Sequence, residues 1–267
     1  LRREADAASL ARQVPDAPNQ GDPVADRLES ATAQPANYNG SGTLSSEICL
    51  DLPVGPADPA EIYRYLGYPA KSAPAPRVAQ RIASIVEQAR RSLRPRGTYA
   101  VYAVTHRTAH SLKLDATTIS GNIGEYLEHA ERVAVFAVSV GSEISRLSES
   151  AAKSGDTFSA WAMDAVGSWA VEEAADALMV RIRRHLQDGQ ELTLRYSPGY
   201  CGMDISQQQN LFQLIQADSV GVTLMPSMLM QPLKSISGLV GLTPKDAVNS
   251  YHSPCDLCPR TGCHMRR

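Results

Sequence analysis

Apolar and polar positions divide this chain into recognisable elements before any chemistry is considered. Residues 1–45 hold Asp, Ala, Pro, Gln, Asn and Gly without a sustained apolar period. That pattern predicts a disordered tail ending at Asn39-Gly40-Ser41-Gly42, or an artefact of a chain that starts at Leu1 and not at Met. From Glu47 the character changes: Ile48, Leu50 and Leu52 alternate with polar neighbours, as in a half-buried strand. Asp58-Pro59-Ala60-Glu61 then predicts a helix start, with Asp58 as cap, Pro59 in the first turn and Glu61 closing a capping box. Ile62, Tyr65 and Leu66 form its apolar face, and Gly67 ends it. After a proline-rich spacer, Val78, Ile82, Ile85, Val86, Ala89 and Leu93 keep the period of a longer helix.

The middle of the chain continues the mixture. Strands are predicted from Tyr99 to Thr105 and from Leu112 to Ile119. Val133 to Val140 is apolar nearly throughout, which predicts a central strand covered on both faces. A helix follows Gly141 to about Lys153, and a long helix spans Asp156 to Gln187, with Gly167 as a candidate bend. Leu192 to Arg195 reads as a short strand running into a loop. Ser206-Gln207-Gln208-Gln209 has the capping-box pattern, and Val222 to Met230 and Ser235 to Leu242 read as two last strands separated by Pro232. Hairpin-like strand pairs mixed with helices, without regular βαβ alternation, predict an α+β domain over 46–250: a twisted, mainly antiparallel sheet with flanking helices.

Composition narrows the classes of function. A chain of 267 residues with 43% hydrophobic and 20% charged residues suits a soluble globular protein. A formal charge of −2 gives no electrostatic reason for a nucleic-acid partner. No apolar run has the length of a membrane span, and the basic start is not followed by the apolar stretch of a secretory signal. The expected location is the cytoplasm.

The most informative loop is Arg195-Tyr196-Ser197-Pro198-Gly199-Tyr200. A strand ends there and Pro198-Gly199 makes a turn, glycine permitting positive φ and close backbone approach. Exposed N–H groups in such a turn can bond a heterocycle or an oxyanion. The planar fork of Arg195 suits a carboxylate, and Tyr200 can stack on a ring. A surface turn with a salt-bridged arginine is the commoner outcome of such spacing. In the preceding long helix Asp164, Ser168 and Glu172 are four apart and share a face, with Ala165 and Gly167 leaving room beside them. The plain alternative is a solvated acidic face.

This loop is similar to the Arg-Pro-Ala-Pro-Gly-Tyr-Pro loop of the activation domain of cobalamin-dependent methionine synthase. Arg195, Pro198, Gly199 and Tyr200 match, while Tyr196 and Ser197 replace Pro and Ala. Downstream, Ser227 to Pro232 and Ser235-Ile236-Ser237-Gly238 resemble the family's Ser-Phe-Ala-Met-Trp-Pro and Ser-Val-Ser-Gly stretches. Ala170 to Arg183 resembles its long helix. Stand-alone relatives carry Ser-Pro-Gly-Tyr-Cys and a cysteine-rich tail, as here. The resemblance spans about residues 47–267. It implies S-adenosylmethionine binding through Arg195, Ser197, Gly199, Tyr200 and Glu172. It implies a role in reductive re-methylation of a corrinoid, cobalamin, carried by a partner methyltransferase, with an electron donor such as flavodoxin or ferredoxin. The family's Asp-Trp-Thr-Pro segment and the tyrosine-bearing strand beyond Ser-Gly have no counterpart here.

Cys255-x2-Cys258-x4-Cys263, in the tail 251–267, has metal-ligand spacing. Cys201, directly after the turn, is the natural fourth thiolate, with His252 or His264 as alternatives; zinc and an iron–sulfur cluster both accept such a set. The rival function is therefore a metal-stapled binding or redox accessory module without S-adenosylmethionine. Other residues carry weaker signals. His106 and His110 flank a strand end as candidate ligands, with an exposed turn the default; Lys234 is a candidate to meet an anionic group, with a surface lysine the default; Trp161 and Trp169 read as core or interface anchors. Met225, Met228 and Met230 read as core filling or a soft apolar surface.

Overall fold

The computed structural model describes residues 43–69, 71–200 and 202–248. The tail at 251–267 and all but the last three residues of the stretch 1–45 lie outside the described residues. Nine strands and six α-helices follow in the order β1 (Thr43–Cys49), α1 (Pro59–Tyr65), α2 (Pro76–Arg90), β2 (Arg96–Thr108), β3 (Ser111–Leu114), β4 (Thr117–Ser120), α3 (Ile123–Tyr126), β5 (Arg132–Ser139), α4 (Glu143–Lys153), α5 (Thr157–Ile182), β6 (Gln190–Leu192), α6 (Gln207–Gln213), β7 (Thr223–Leu224), β8 (Met230–Gln231) and β9 (Ser235–Pro244). Short 3-10 turns follow α5, α6 and β9.

The main sheet is antiparallel throughout, in the order β4-β3-β2-β5-β9-β6, with β1 also paired to β2. Strand β2 is long enough to serve two neighbours on one side: its first half pairs with β1 and its last residues with β3. A register shift between Val104 and His106 lets it curl from one to the other. The alternation of side chains separates two cores. Tyr99, Val101, Ala134, Phe136, Val138 and Val240 face α1, α2, α4 and α5. Ala100, Tyr102, Val133, Val135, Ala137 and Leu239 face α3, α6 and the hairpin β3–β4. As predicted, β5 is buried on both sides, because one strand carries the inner residues of both layers.

Helix α5 is buried around most of its circumference, and its alanines (Ala162, Ala165, Ala170, Ala174) let neighbouring elements approach closely. Its start is fixed by Asp156, whose carboxylate accepts from the Ser159 N–H at 3.0 Å. The helix runs unbroken through Gly167, where a Cβ would meet the Lys234 stem at 3.0 Å. This glycine admits a neighbour; it does not bend the helix. The end comes at Ile182, with a 3-10 turn in place of the expected continuation to Gln187.

Several predicted elements take a different form, each for a local reason. Leu50 is 61% exposed while Leu52 is buried, because β1 begins earlier, at Thr43, and is over by Cys49. Leu112 to Ile119 is a hairpin, not one strand, since Asp115 adopts a left-handed turn conformation at φ 53°. Val222 to Met230 is also not one strand: β7 and β8 are joined across Pro226, which lacks a donor for the ladder, and Met228 turns at φ 65°. Asp58 caps α1 by accepting from the Ala60 N–H at 2.9 Å, and Glu61 pairs with Arg64. Ser206 makes no side-chain cap; Asp204 accepts its N–H at 2.9 Å.

A buried polar cluster pins β1 to the end of α5. The Tyr99 hydroxyl donates to Glu47 Oε2 at 2.7 Å, and its oxygen lies 2.8 Å from His185 Nε2. The buried Arg181 places Nη1 3.7 Å from Glu47 Oε1. Burial holds the His185 imidazole below its ordinary pKa of 6.5, with Arg132 and Arg184 opposing its protonation further and Glu47 favouring it. Burial and the adjacent Glu47 push the Cys49 thiol up to about 12, so it is an inert core residue and not a thiolate. Among the described residues no helix is long and apolar enough to cross a membrane.

Two outcomes follow from this packing. Phe136→Ala removes a fully buried ring between sheet and helices and should cost about 3–5 kcal/mol in urea unfolding, whereas Leu50→Ala should stay within about 0.5 kcal/mol. The unfolded chain protonates His185 near pH 6.5, before the folded chain does. Its stabilising contribution is therefore full above that pH and lost as pH falls through the lowered folded value. Between pH 7.5 and 5 the melting temperature of the wild type should fall more steeply than that of His185→Gln, which keeps a donor to Tyr99 without a titrating ring; parallel curves would show that His185 does not couple.

Candidate functional site

The chain leaves β6 at Leu192 but stays beside β9. Thr193 N–H donates to the Gly241 carbonyl at 3.0 Å, and the Thr193 hydroxyl accepts from Gly241 N–H at 2.9 Å. That side-chain bond replaces a ladder bond, so the regular strand is Gln190–Leu192 and ends where the predicted Leu192–Arg195 begins. Tyr196 then exchanges both backbone hydrogen bonds with Leu239 at 2.9 Å, and its buried ring stacks on Tyr126 at 5.5 Å between centroids. Gly238, opposite, has no space for a side chain: a Cβ there would stand 2.6 Å from the Tyr196 carbonyl and 3.1 Å from Ser197 Oγ. These contacts hold Arg195 and Ser197 at a fixed height over the sheet.

Beyond them the loop closes on itself. Gly199, at φ 92°, donates its N–H to the Met203 carbonyl at 2.8 Å, and Tyr200 N–H bonds Ser197 O at 3.2 Å. The expectation that these turn N–H groups stand free for a ligand is thus overturned; they are the bonds that shape the turn. Pro198 is buried, while the Tyr200 ring is 62% exposed. The far side of the loop rests on the turn before α3, where a Cβ on Gly121 would lie 2.7 Å from Met203 Cα and one on Gly202 2.9 Å from Asn122 Nδ2.

The structure brings Arg195 and Glu172 together, two residues that the sequence analysis singled out from separate elements. Arg195 Nη2 donates to Glu172 Oε2 at 2.9 Å and stands 3.1 Å from Asp176 Oδ1. Arg195 Nη1 is buried and has no hydrogen-bond partner among the described residues. One half of the fork is anchored and the other half is buried without a partner among the described residues. Asp176 was missed in the sequence, although it is the next step of the four-residue spacing through Asp164, Ser168 and Glu172.

The same face of α5 receives a second cation. Lys234, expected at the surface, has a side chain only 15% exposed; its ammonium reaches Asp164 Oδ1 and Ser168 Oγ, both at 2.8 Å. The room beside Gly167 is filled by the stem of that lysine. The predicted acidic face is accordingly a row of paired charges: Asp164 and Ser168 with Lys234, then Glu172 and Asp176 with Arg195. It is neither a bare solvated face nor an empty pocket.

The remaining candidates separate clearly. Cys201, Cys255, Cys258 and Cys263 lie outside the described residues, as do His252 and His264. Among the described residues no group of His, Cys, Asp and Glu is arranged to hold a metal ion. His106 and His110 are exposed, as expected, with His110 Nδ1 3.2 Å from Asn122 Oδ1. Trp169 is buried under the Arg90 guanidinium and Trp161 is exposed. Met225 is exposed and Met228 half-buried, while Met230, also half-buried, packs against the second core, so the group divides between surface and core edge.

Comparison with known proteins bears on the fold and the family. The crystal structure of the MetH reactivation domain bound to AdoHcy superposes with a TM-score of 0.54 at 16% sequence identity, covering 81% of this chain and 84% of that chain. At that identity the likeness concerns the fold: helices against a curled antiparallel sheet. Comparison with the curated proteins finds no match. The family model described as vitamin B12 dependent methionine synthase, activation domain, matches residues 118–252, just over half of the sequence and the part that contains β5, α5, the Arg195 loop and β9. The chain therefore belongs to the activation-domain family of vitamin B12-dependent methionine synthase.

Proposed function

We propose that this protein binds S-adenosylmethionine at the Arg195 loop and assists the reductive re-methylation of a corrinoid carried by a partner methyltransferase. The observation that carries the reading is the half-anchored guanidinium. A buried N–H fork without a partner is costly unless an anion completes it, and the carboxylate of an amino acid has the matching planar geometry. Glu172, within reach of the same fork, receives the ammonium group of that amino acid in this reading, which its 2.9 Å contact with Arg195 supports. Ser197, held against Gly238, and the exposed ring of Tyr200 stand on the nucleoside side, where a ring face can stack on a base. The donor set therefore fits an adenosyl amino acid. Gly199 contributes through the shape of the turn, since its N–H is engaged by Met203.

Bound there, S-adenosylmethionine supplies an electrophilic methyl group. The chain's own residues bind and orient: Arg195 and Glu172 hold the amino-acid end, while the loop, fixed to β9 and to the turn before α3, sets the distance to the partner. The corrinoid, and an electron donor such as flavodoxin or ferredoxin, belong to other proteins in this scheme, acting in the cytoplasm. Cys201, Cys255, Cys258 and Cys263 enter the proposal as a four-thiolate site for zinc or an iron–sulfur cluster.

Calorimetric titration tests the reading. Folded wild-type protein should give heat with S-adenosylmethionine, and Arg195→Ala should weaken binding at least about tenfold while keeping the wild-type circular dichroism. No heat with folded wild type would favour a scaffold or redox module that kept the fold without the ligand. Metal analysis after anaerobic purification should find about one zinc, or iron with sulfide, per chain, lost in Cys255→Ser; metal-free protein would remove the cysteine site.

A further inference from the structure

The Arg195 site carries more negative than positive charge. Glu172 and Asp176 both lie against the one guanidinium, so the three side chains sum to −1. The neighbouring pair, Lys234 with Asp164, is internally balanced and lends no spare cation. An amino-acid ligand that completes the unpartnered Nη1 adds a carboxylate and an ammonium, which cancel. The excess of one negative charge remains unless the ligand brings a further cation. Bringing unbalanced charge into a site that a ligand covers is unfavourable, because water is displaced from it.

Resting on the proposed binding of an adenosyl amino acid, we infer that Asp176 is a specificity residue that makes this site select the sulfonium ligand over the thioether. S-adenosylmethionine carries the missing positive charge at sulfur. S-adenosylhomocysteine, the thioether left after methyl donation, does not. The site is thus electroneutral with the donor and carries one negative charge with the spent form, which favours exchange of one for the other. Asp176 is suited to this role because Glu172 alone already neutralises Arg195. Its side chain is 68% exposed, so solvent and salt screen its effect, and the expected preference is about fivefold to twentyfold, not orders of magnitude.

The test is calorimetric titration of the full chain with three ligands: S-adenosylmethionine, S-adenosylhomocysteine, and an analogue carrying a protonated amine in place of the sulfonium. Both cationic ligands should bind about fivefold to twentyfold more tightly than the thioether, and the preference should shrink as sodium chloride rises from about 0.05 to about 0.5 M. Asp176→Asn, at an exposed position, should level the three affinities without changing the melting temperature by more than a few degrees. Equal affinities in the wild type, or a preference that survives in Asp176→Asn, would overturn the inference while leaving the binding site intact. Absence of binding by all three ligands to folded wild type would instead remove the site itself and this inference with it.

Discussion

The ion pair between Arg195 and Glu172 joins the two halves of this molecule's chemistry: a loop leaving the sheet edge and a helix lying across the sheet. Its geometry depends on almost everything beneath it. Glu172 is positioned because α5 is wedged among α1, α2, α4 and the sheet by small residues on several sides. Arg195 is positioned because the chain after β6 cannot leave β9, being tied at Thr193 and again at Tyr196. A shift of either support by the width of a hydrogen atom would turn a directed hydrogen bond into a loose electrostatic contact.

The paired charges along α5 also show how a half-buried acidic face is tolerated. Asp164 and Glu172, each in reach of one cation, remain at the boundary between core and solvent, where a charge keeps part of its hydration. Glu173, one residue away, lies toward Gly55; burial, with Asp176 nearby, holds its carboxyl above the ordinary range against the opposing pull of Arg90. Neighbouring positions on one helix thus differ in charge character because they face different elements.

Much of this was legible in the sequence. The continuous apolar run at Val133–Val140 announced a strand covered on both faces, and the apolar period of α2 announced a helix, because burial on a regular element leaves a regular pattern. Arg195 and Glu172 were both visible as candidates. Their direct pairing was not, since it depends on how a loop and a helix some twenty residues apart in sequence meet in space. Lys234 was a candidate to meet an anionic group, but its partners were hidden for the same reason: they lie on α5, and no local pattern around Ser235 discloses them. The turns failed where single residues decided them, Asp115 and Met228 adopting left-handed conformations that composition alone did not demand. Asp176 was within reach, one further step in a spacing already noticed.

The glycines at 121 and 202 have a consequence of their own. With no side chain at either position, backbone lies against backbone and against Asn122, so the loop bearing Tyr200 and the segment between β4 and α3 have no soft layer between them. They must move, if they move, as one piece. A force applied to the β3–β4 hairpin would then be felt at Gly202 and Met203, and the sheet's outer corner becomes a lever on that part of the loop.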